Sequence, residues 1–375
     1  MIFKHLFLGP LYKQVHQIIE RKGSLDPREA REVVFEGLYR HPPNLFRNAA
    51  AAAYYLKARL AYRARRALSI SKHYDLPPAF YRLFLDNEYG AYSCAVFDEY
   101  GTTLEAAQRR KLQILVRKLD ADAGHRILDI GCGWGSFLKY AKEMGLNAEG
   151  MALSHEQVDE CRRLGFRAVY ADAADEVAGP VDRIVTAGMM EHCKSKRDRI
   201  LENCFQALPP GGRMVVQEMC EGSEAGNLPA VVFVAEEYFP GDRVGSYYSI
   251  QRAARKAGFR VAHLEGFGLH YRATMLEFTR RLAERFEEAE TLVGYRTTMT
   301  HLLALLGFAW YFEVGALDLI QYILVKPSDG VRHSEYAGRS DARLLSSQSY
   351  VSFRRAEYCW RTPQTNNLCV LSGRI

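Results

Sequence analysis

The fold is decided by one stretch of ten residues, Arg126-Ile127-Leu128-Asp129-Ile130-Gly131-Cys132-Gly133-Trp134-Gly135. Its first half is an apolar run with a β-branched residue near each end, which predicts a buried strand. Its second half has glycine at every second position. A helical pattern follows, formed by Phe137, Leu138, Tyr140, Ala141 and Met144. Glycines at such a place let the backbone turn tightly and approach a ligand at the open end of a parallel sheet.

The kind of ligand follows from the residues around these glycines. No Gly-Lys-Ser/Thr comes next, so the loop is not a P-loop for a triphosphate. The spacing is also not that of a dinucleotide fingerprint. Asp129 stands just before the glycines, where a carboxylate suits a cationic ligand better than a pyrophosphate. The spacing Asp-x-Gly-x-Gly-x-Gly resembles motif I of the S-adenosylmethionine (SAM) methyltransferases; an ordinary strand–glycine–helix turn is the alternative.

The cysteines indicate neither a disulfide framework nor a metal site. The chain of 375 residues has 8 cysteines but no C-x-x-C pair. His192 and Cys193 are neighbours, but no second pair lies at ligand spacing, so no metal is predicted. Reduced thiols favour a cytoplasmic protein.

Two apolar segments bear on location. Met1–Pro10 is too short an apolar run for a signal peptide. Leu302–Val325 is strongly apolar, but Glu313 and Asp318 interrupt it, and charges inside a bilayer are costly. We therefore predict a buried helix followed by a core strand there, not a membrane span.

The charge is concentrated at the amino-terminal end. Residues 1–72 contain 14 Lys/Arg and 5 Asp/Glu, a net of +9, so the rest of the +6 chain sums to −3. Ala49–Leu68 has a helical pattern with arginines 59, 63 and 66 on one side. Residues 49–70 therefore suit peripheral contact with an anionic inner-membrane surface. A solvated cationic face on a helix packed against the catalytic domain is the other interpretation. No nucleic-acid motif accompanies the charge.

From residue 72 to residue 326 the chain resembles the cyclopropane-fatty-acyl-phospholipid synthase family, which includes the mycolic acid cyclopropane synthases. The resemblance rests on ordered motifs: His73-Tyr74-Asp75-Leu76, Phe80–Asp86, Tyr92–Phe97, Leu128–Gly135, Leu153–Gln157, Asp182–Val185, Gly188–His192, Leu208–Gly212, Tyr238–Gly241 and Gly268–Tyr271. Their common order is more specific than any one of them. The resemblance implies a Rossmann-like class I SAM methyltransferase, an α/β fold with a parallel sheet and helices on both faces.

The rest of the pattern fits this fold. The later strands are predicted at Asn147–Met151, Arg167–Ala171, Asp182–Ala187, Gly212–Met219, Phe259–Leu264 and Leu319–Val325. Residues 270–312 are predicted as a helical insertion before the last strand, either walling a lipid-sized pocket or forming a packed lid. We divide the chain into a basic helical segment, 1–72, a methyltransferase domain, 73–327, and a disordered tail, 328–375.

The resemblance also assigns cofactor contacts. Gly131, Gly133 and Gly135 would pass under the methionine and ribose parts of SAM, with Asp129 near the amino-acid end and Tyr92-Ser93 over the sulfonium side. The remaining cofactor positions are Ser154, Gln157 and Asp172, the last facing adenine. The family often has an aromatic or charged pair beside this aspartate, whereas this chain has Ala173-Ala174. The resemblance therefore does not predict a side chain stacked on the adenine ring in this chain.

The implied reaction is attack of an alkene on the sulfonium methyl, followed by loss of a proton to a base. In the cyclopropane synthases the base is thought to be bicarbonate, held in part by a cysteine and a glutamate that match Cys94 and Glu191. Gln217 replaces the family's histidine, and Thr300-His301 lies near its tyrosine, so bicarbonate is doubtful here. Leu305 stands near a missing family cysteine. Glu218 and His301 are the alternative internal bases.

The remaining site residues are aromatic rings and one histidine. Rings that would stabilise a carbocation are predicted at Tyr238, Phe239, Tyr247, Tyr248, Tyr271 and Phe312; each taken singly also fits a core position. Glu191-His192 occurs in alkaloid N-methyltransferases as well, where the pair acts near the amine. The alternative for His192 is a supporting hydrogen bond outside the catalytic contacts.

We therefore predict a methyltransferase that acts on a C=C bond of an unsaturated acyl chain or a similar apolar alkene, giving a cyclopropane or a methyl branch. A C- or N-methyltransferase for a soluble metabolite is the first alternative. A non-catalytic SAM-binding or membrane-scaffolding protein is the second. A homodimer is a further hypothesis.

Overall fold

The computed structural model describes residues 16, 17, 19, 76–98, 102–193, 195–222 and 244–328. Within them the chain forms one eight-stranded sheet in the order β3-β2-β1-β4-β5-β8-β7, with β6 paired to β5. The strands are β1 Arg126–Ile130, β2 Asn147–Ala152, β3 Arg167–Tyr170, β4 Arg183–Ala187, β5 Arg213–Glu221, β6 Gly245–Ser246, β7 Arg260–Gly266 and β8 Leu317–Val325. The predicted strands are confirmed to within one or two residues at each end.

The helices alternate with the strands as the sequence pattern predicts. They are α1 Pro78–Tyr81, α2 Leu104–Leu119, α3 Ser136–Glu143, α4 His155–Arg163, α5 Arg197–Ala207, α6 Tyr248–Ala257, α7 Gly268–Glu284, α8 Phe286–Val293 and α9 Tyr295–Glu313, with a 3-10 turn at Met190–His192. The apolar stretch that we predicted as a buried helix and a core strand forms the second half of α9 and then β8. No helix among the described residues is long and apolar enough to cross a membrane.

Packing places α2, α3 and α4 on one face of the sheet and α5 and α6 on the other. Ile127, Val185 and Val215 contact α2 and α3. Leu128 and Met214, their strand neighbours, point to the opposite face, where α5 and α6 lie. Because side chains alternate along a strand, this sorting tells which face each polar residue of a strand takes.

One strand departs from the predicted parallel sheet. β8 runs antiparallel to both of its neighbours, β5 and β7. The apolar run of β8 specifies burial but not direction, which is why its direction did not follow from the sequence. The consequence is that the chain between β7 and β8 begins and ends at the carboxyl edge of the sheet. The predicted insertion, α7 to α9, therefore lies at the edge where ligands bind in such folds.

The insertion forms its own apolar core. Its largest members come from α7 and α9, together with Phe80 and Phe84 from the α1 region. α7 and α9 pack along each other, and Tyr271 of α7 contacts the ring of Phe312 on α9 with 4.8 Å between ring centroids.

Some predictions concern residues outside the described set. These are the basic helix 49–68 with its membrane contact, the segment 1–72 apart from three of its residues, the tail beyond residue 328, and the aromatic residues Tyr238 and Phe239. They stay predictions.

A buried ion pair ties α5 to the sheet. Arg197 Nη2 donates to Glu218 Oε2 at 2.8 Å, and both side chains are almost fully buried. We expect Arg197→Met to lower the free energy of unfolding by about 3–5 kcal/mol, because it leaves the Glu218 carboxylate without its counter-charge. Urea unfolding measures this. Gln206→Met, a substitution of an exposed residue on the same helix, is the control and should change stability by less than about 0.5 kcal/mol. A loss below about 1 kcal/mol for Arg197→Met would contradict the expectation.

Candidate active site

The glycine loop between β1 and α3 has the backbone conformation that only glycine adopts readily. Gly131, Gly133 and Gly135 all have positive φ angles, of +80°, +54° and +86°. A Cβ on Gly131 would come within 2.8 Å of Met189 Cβ, whereas one on Gly133 would meet nothing within 4 Å. The loop thus offers open backbone at Gly133 and tight packing on either side, which is what close approach of a ligand requires.

Asp129 lies at the carboxyl end of β1 on the face that α2 covers. It is 4% exposed, and burial raises the pKa of its carboxyl to about 7, with the charge of Lys111 acting in the opposite direction. A buried carboxylate beside an open glycine turn matches a ligand with a cationic amino group. The residues present therefore fit the amino-acid end of SAM.

The loop from residue 86 to residue 94 is held by polar groups that sequence analysis did not single out. The Asp86 carboxylate accepts from the N–H groups of residues 89 and 91. Gln108 Nε2 donates to the carbonyl of Ser93 at 2.8 Å, and Lys111 Nζ donates to Ser93 Oγ at 3.2 Å. Gln108 and Lys111 stand in the apolar stripe of α2, and polar residues at buried helix positions were the signal that would have revealed them.

Cys94, the residue after Ser93, is fully buried. Its Sγ donates to the carbonyl of Ala95 at 3.2 Å. Burial raises the pKa of the thiol well above its ordinary value, so the side chain is a neutral thiol at physiological pH. Tyr92 packs against Phe84 and Phe278, with ring centroids 5.9 and 6.0 Å away. The predicted pair Tyr92-Ser93 is thereby joined to the insertion helices.

Glu191 lies in the 3-10 turn that follows β4 and is buried. Arg197 holds this turn in place, because its Nη2 also donates to the carbonyl of Met190 at 3.1 Å. A Cβ on Gly188 would come 3.9 Å from Glu191 Oε1, so the carboxylate faces the glycine that ends β4. His192 is half-buried in the same turn. The structure thus places Glu191 at the carboxyl edge of the sheet, as the motif implied.

The three outer cofactor positions lie at the ends of β2 and β3. Ser154 caps α4 by accepting from the Gln157 N–H at 3.3 Å. Burial acts to raise the pKa of the Asp172 carboxyl, but hydrogen bonds from Lys196 and the Ala174 N–H outweigh it and leave the pKa lowered. Asp172 is therefore an ionised acceptor at this rim. Ala173 and Ala174 are buried against the core beneath it.

Gln217 and Glu218 are adjacent in β5 and point to opposite faces. Gln217 lies on the Asp129 face, where its Oε1 accepts from Gln321 Nε2 at 2.8 Å. Its own Nε2 is buried and has no acceptor among the described residues, so one amide donor remains where the family has an imidazole. Glu218 points to α5 and pairs with Arg197. That placement does not favour Glu218 as a base for a substrate on the Asp129 side.

His301 lies in α9, inside the apolar core of the insertion. Its Nδ1 is 2.9 Å from the Thr297 carbonyl, and its ring lies edge-on to Phe80 at 4.9 Å between centroids. Burial lowers its pKa to about 4, so it is neutral at pH 7 and a weak base.

The described aromatic candidates fall into two places. Tyr271 and Phe312 belong to the core that also contains Cys94. Tyr247 and Tyr248 lie at the start of α6, with 3.9 Å between their ring centroids, and Tyr247 packs on the opposite face of the sheet. Of the two pairs, Tyr271 and Phe312 are the one that shares an apolar core with Cys94.

Comparison with known proteins decides the family. The model of the mycolic acid cyclopropane synthetase family matches residues 62–322, well over half of the chain. This chain belongs to the mycolic acid cyclopropane synthetase family. The match covers the glycine loop, the Cys94 loop, the Glu191 turn and the whole insertion.

Individual members of the family agree. A probable fatty acid methyltransferase of Pseudomonas putida is 34% identical, over 70% of this chain and 71% of its own. Cyclopropane mycolic acid synthase 3 of Mycobacterium tuberculosis is 31% identical, over 69% of this chain and 96% of its own. Among solved structures, mycolic acid cyclopropane synthase CmaA1 in complex with S-adenosylhomocysteine (SAH) and CTAB is similar at 29% identity and a TM-score of 0.64, covering 68% of this chain and 96% of that one.

As a member of this family the protein is a SAM-dependent methyltransferase with a class I fold. Asp129 and the glycine loop fit SAM. The donors for bicarbonate fit less well, because Gln217 supplies an amide in place of an imidazole and His301 faces Thr297 and Phe80. These residues therefore do not favour bicarbonate as the base.

Proposed function

We propose that this methyltransferase acts on a C=C bond of an unsaturated acyl chain and produces a cyclopropane or a methyl branch. The observation that carries the proposal is the packing around Cys94. Cys94, Phe267, Tyr271 and Phe312 belong to one apolar core, which α7, α8 and α9 extend at the carboxyl edge of the sheet. A long apolar substrate needs such surroundings next to the cofactor, whereas a small polar metabolite does not.

The reaction requires three roles of the protein. SAM, when bound, supplies an electrophilic methyl group. Transfer of that methyl to the alkene would release SAH and would leave a carbocation on the acyl chain. The protein must exclude water from this cation, stabilise it with aromatic faces, and remove one proton.

Residues of this chain support each of these three roles. The insertion core excludes water, and Tyr271 and Phe312 offer aromatic faces within the same apolar core as Cys94. Glu191 is the carboxylate proposed to remove the proton, since Glu218 pairs with Arg197 and the pKa of buried His301 is about 4. Loss of the proton from the transferred methyl closes a cyclopropane, and loss from a neighbouring carbon leaves a methyl branch.

One observation favours the second candidate, a C- or N-methyltransferase for a soluble metabolite. The amide of Gln217 replaces the imidazole of the lipid-modifying relatives, and its Nε2 has no acceptor within the described part of the chain. A polar substrate would satisfy this donor.

Labelling in cells separates the two candidates. We expect that cells expressing the protein with methyl-deuterated methionine gain one labelled methylene on unsaturated acyl chains, detected by mass spectrometry of extracted lipids. A cyclopropane product loses one deuterium of the transferred methyl, whereas a methyl branch keeps them all.

The control is the same cells expressing Glu191→Gln, in which no acyl label should appear. Absence of label in all lipids, with SAM binding intact in the purified protein, would overturn the acyl-chain proposal and favour the soluble acceptor. Salt-sensitive binding to anionic liposomes would additionally support delivery of the substrate from a membrane.

A further inference from the structure

A lysine lies where the packing of α2 calls for an apolar residue. The buried stripe of α2 consists of Leu104, Ala107, Gln108, Lys111, Leu112, Leu115 and Leu119. Lys111 is only 2% exposed. Burying an ammonium group costs free energy unless nearby groups compensate it, so a lysine at this position requires a specific partner.

The partners of Lys111 are groups of the cofactor site. Its Nζ donates to Ser93 Oγ at 3.2 Å. Burial lowers the pKa of Lys111 to about 8, and the charges of Asp86, Cys94 and Asp129 act against that shift. Since Asp129 ends β1 on the face that α2 covers, the ammonium of Lys111 and the Asp129 carboxylate lie on the same side of the sheet, both excluded from water.

The other titratable groups around Asp129 do not supply a positive charge. The thiols of Cys132, in the glycine loop, and Cys161, in α4, are near enough to be affected by the charge of Asp129. Asp86, in the loop between α1 and α2, is a second carboxylate near Lys111. Within the described part of the chain, Lys111 is the cation that acts on the pKa of Asp129.

The balance of charge matches the cofactor. Asp86 and Asp129 contribute two carboxylates and Lys111 contributes one ammonium, so this buried set is short of one positive charge when all three are ionised. SAM has an ammonium, a sulfonium and a carboxylate, a net of one positive charge. The set is therefore neutral with SAM bound, provided that Asp129 is ionised.

We propose that Lys111 is a positioning residue for the cofactor: its buried ammonium, hydrogen-bonded to Ser93 Oγ, is the counter-charge of the buried Asp129 carboxylate and favours the ionised form that binds the amino end of SAM. The inference rests on SAM binding and not on the acyl substrate. It holds or fails whichever acceptor the enzyme methylates.

The experiment measures the dissociation constant of SAM by calorimetry from pH 6.5 to pH 9 for the wild type, Lys111→Met and Lys111→Gln. Without the lysine the pKa of Asp129 rises, so more of the carboxylate is protonated at low pH. A rise of one pKa unit predicts that both variants bind SAM about fivefold to tenfold more weakly than wild type at pH 6.5. At pH 9 the ratio should approach one, because Asp129 is ionised in every variant and Lys111 itself has lost most of its charge. Titration of the cofactor's own amino group cancels in these ratios.

Two comparisons make the test specific. Lys118→Met removes another largely buried lysine of α2, whose Nζ donates to Glu265 and Gln321 at 2.7 Å and whose charge does not act on the pKa of Asp129. The dissociation constant of SAM for Lys118→Met, divided by that of the wild type, should be near one at every pH. Lys111→Gln keeps a donor for Ser93 but no charge, so it separates the charge from the hydrogen bond and serves as the second variant if Lys111→Met does not fold.

Either of two results would overturn the proposal. One is that Lys111→Gln, with an unchanged thermal transition, binds SAM as tightly as wild type at pH 6.5. The other is that the loss of affinity is the same factor at pH 6.5 and pH 9, which would mean a structural role without control of ionisation. A lack of acyl methylation with an intact pH effect would instead overturn only the proposed substrate.

Discussion

Glu191→Gln is expected to reduce kcat for methyl transfer by about 10³-fold while leaving the dissociation constant of SAM within about twofold of wild type. The amide keeps the size and burial of the side chain in the turn after β4 but cannot remove a proton. The turn itself should survive, because Arg197 fixes it through the Met190 carbonyl, which the substitution does not touch. Single-turnover transfer from radiolabelled SAM, together with calorimetric SAM binding, measures both quantities.

Glu221→Gln is the matched control for this prediction. Glu221 ends β5 at the same edge of the sheet, but its side chain is exposed. Its substitution should leave kcat within about twofold. If Glu191→Gln retained more than a tenth of wild-type kcat, Glu191 would not be the base. Recovery of the lost activity by added bicarbonate would assign the proton to an exogenous anion instead.

Asp129→Asn is expected to weaken SAM binding by about 100-fold at pH 8, through loss of a charge-assisted contact to the amino end of the cofactor. Above pH 7 the wild-type carboxyl is ionised in the larger part of the population, since burial raises its pKa to about 7. The effect should shrink as the pH falls below 7, because the wild-type carboxyl then becomes protonated and loses the charge that Asn lacks. Thermal melting with and without SAM reports the same difference: SAM should raise the Tm of the wild type but not of the variant.

Glu149→Gln tests whether any carboxylate near β1 has this effect. Glu149 lies on β2 next to Leu128, is half-buried, and pairs with Arg126 at 3.4 Å, toward the amino end of the sheet. SAM affinity should be unchanged in this variant. Binding by Asp129→Asn within threefold of wild type would refute the role given to Asp129.

The sequence was most informative where a residue type is required by backbone geometry. Glycines at 131, 133 and 135 indicated a tight turn after an apolar strand, and in the structure all three residues have positive φ angles. The positions of the strands along the chain and of the insertion before the last strand followed from alternating apolar patterns and the family motifs. These features depend on local chemistry, which a sequence displays directly.

Features that depend on long-range packing were not accessible in the same way. The direction of β8 is set by its pairing with β5 and β7, and an apolar run reads the same in both directions. The side taken by Glu218 was left open because strand alternation gives relative but not absolute faces; its pairing with Arg197 settles it. For Lys111, the apolar stripe of α2 indicates burial, but only packing against the sheet shows which groups the ammonium faces.

The antiparallel β8 has a consequence for how such enzymes diversify. Gly266, the end of β7, pairs with Ile320 in β8, and the Phe267 N–H donates to the Leu319 carbonyl at 2.6 Å. The helical insertion, α7 to α9, thus leaves the sheet at the end of β7 and returns to it in β8 at a paired position. Exchange of this insertion between relatives needs only two neighbouring junctions, and the strands that present the glycine loop stay untouched. The insertion can therefore change in length without interrupting any strand of the sheet.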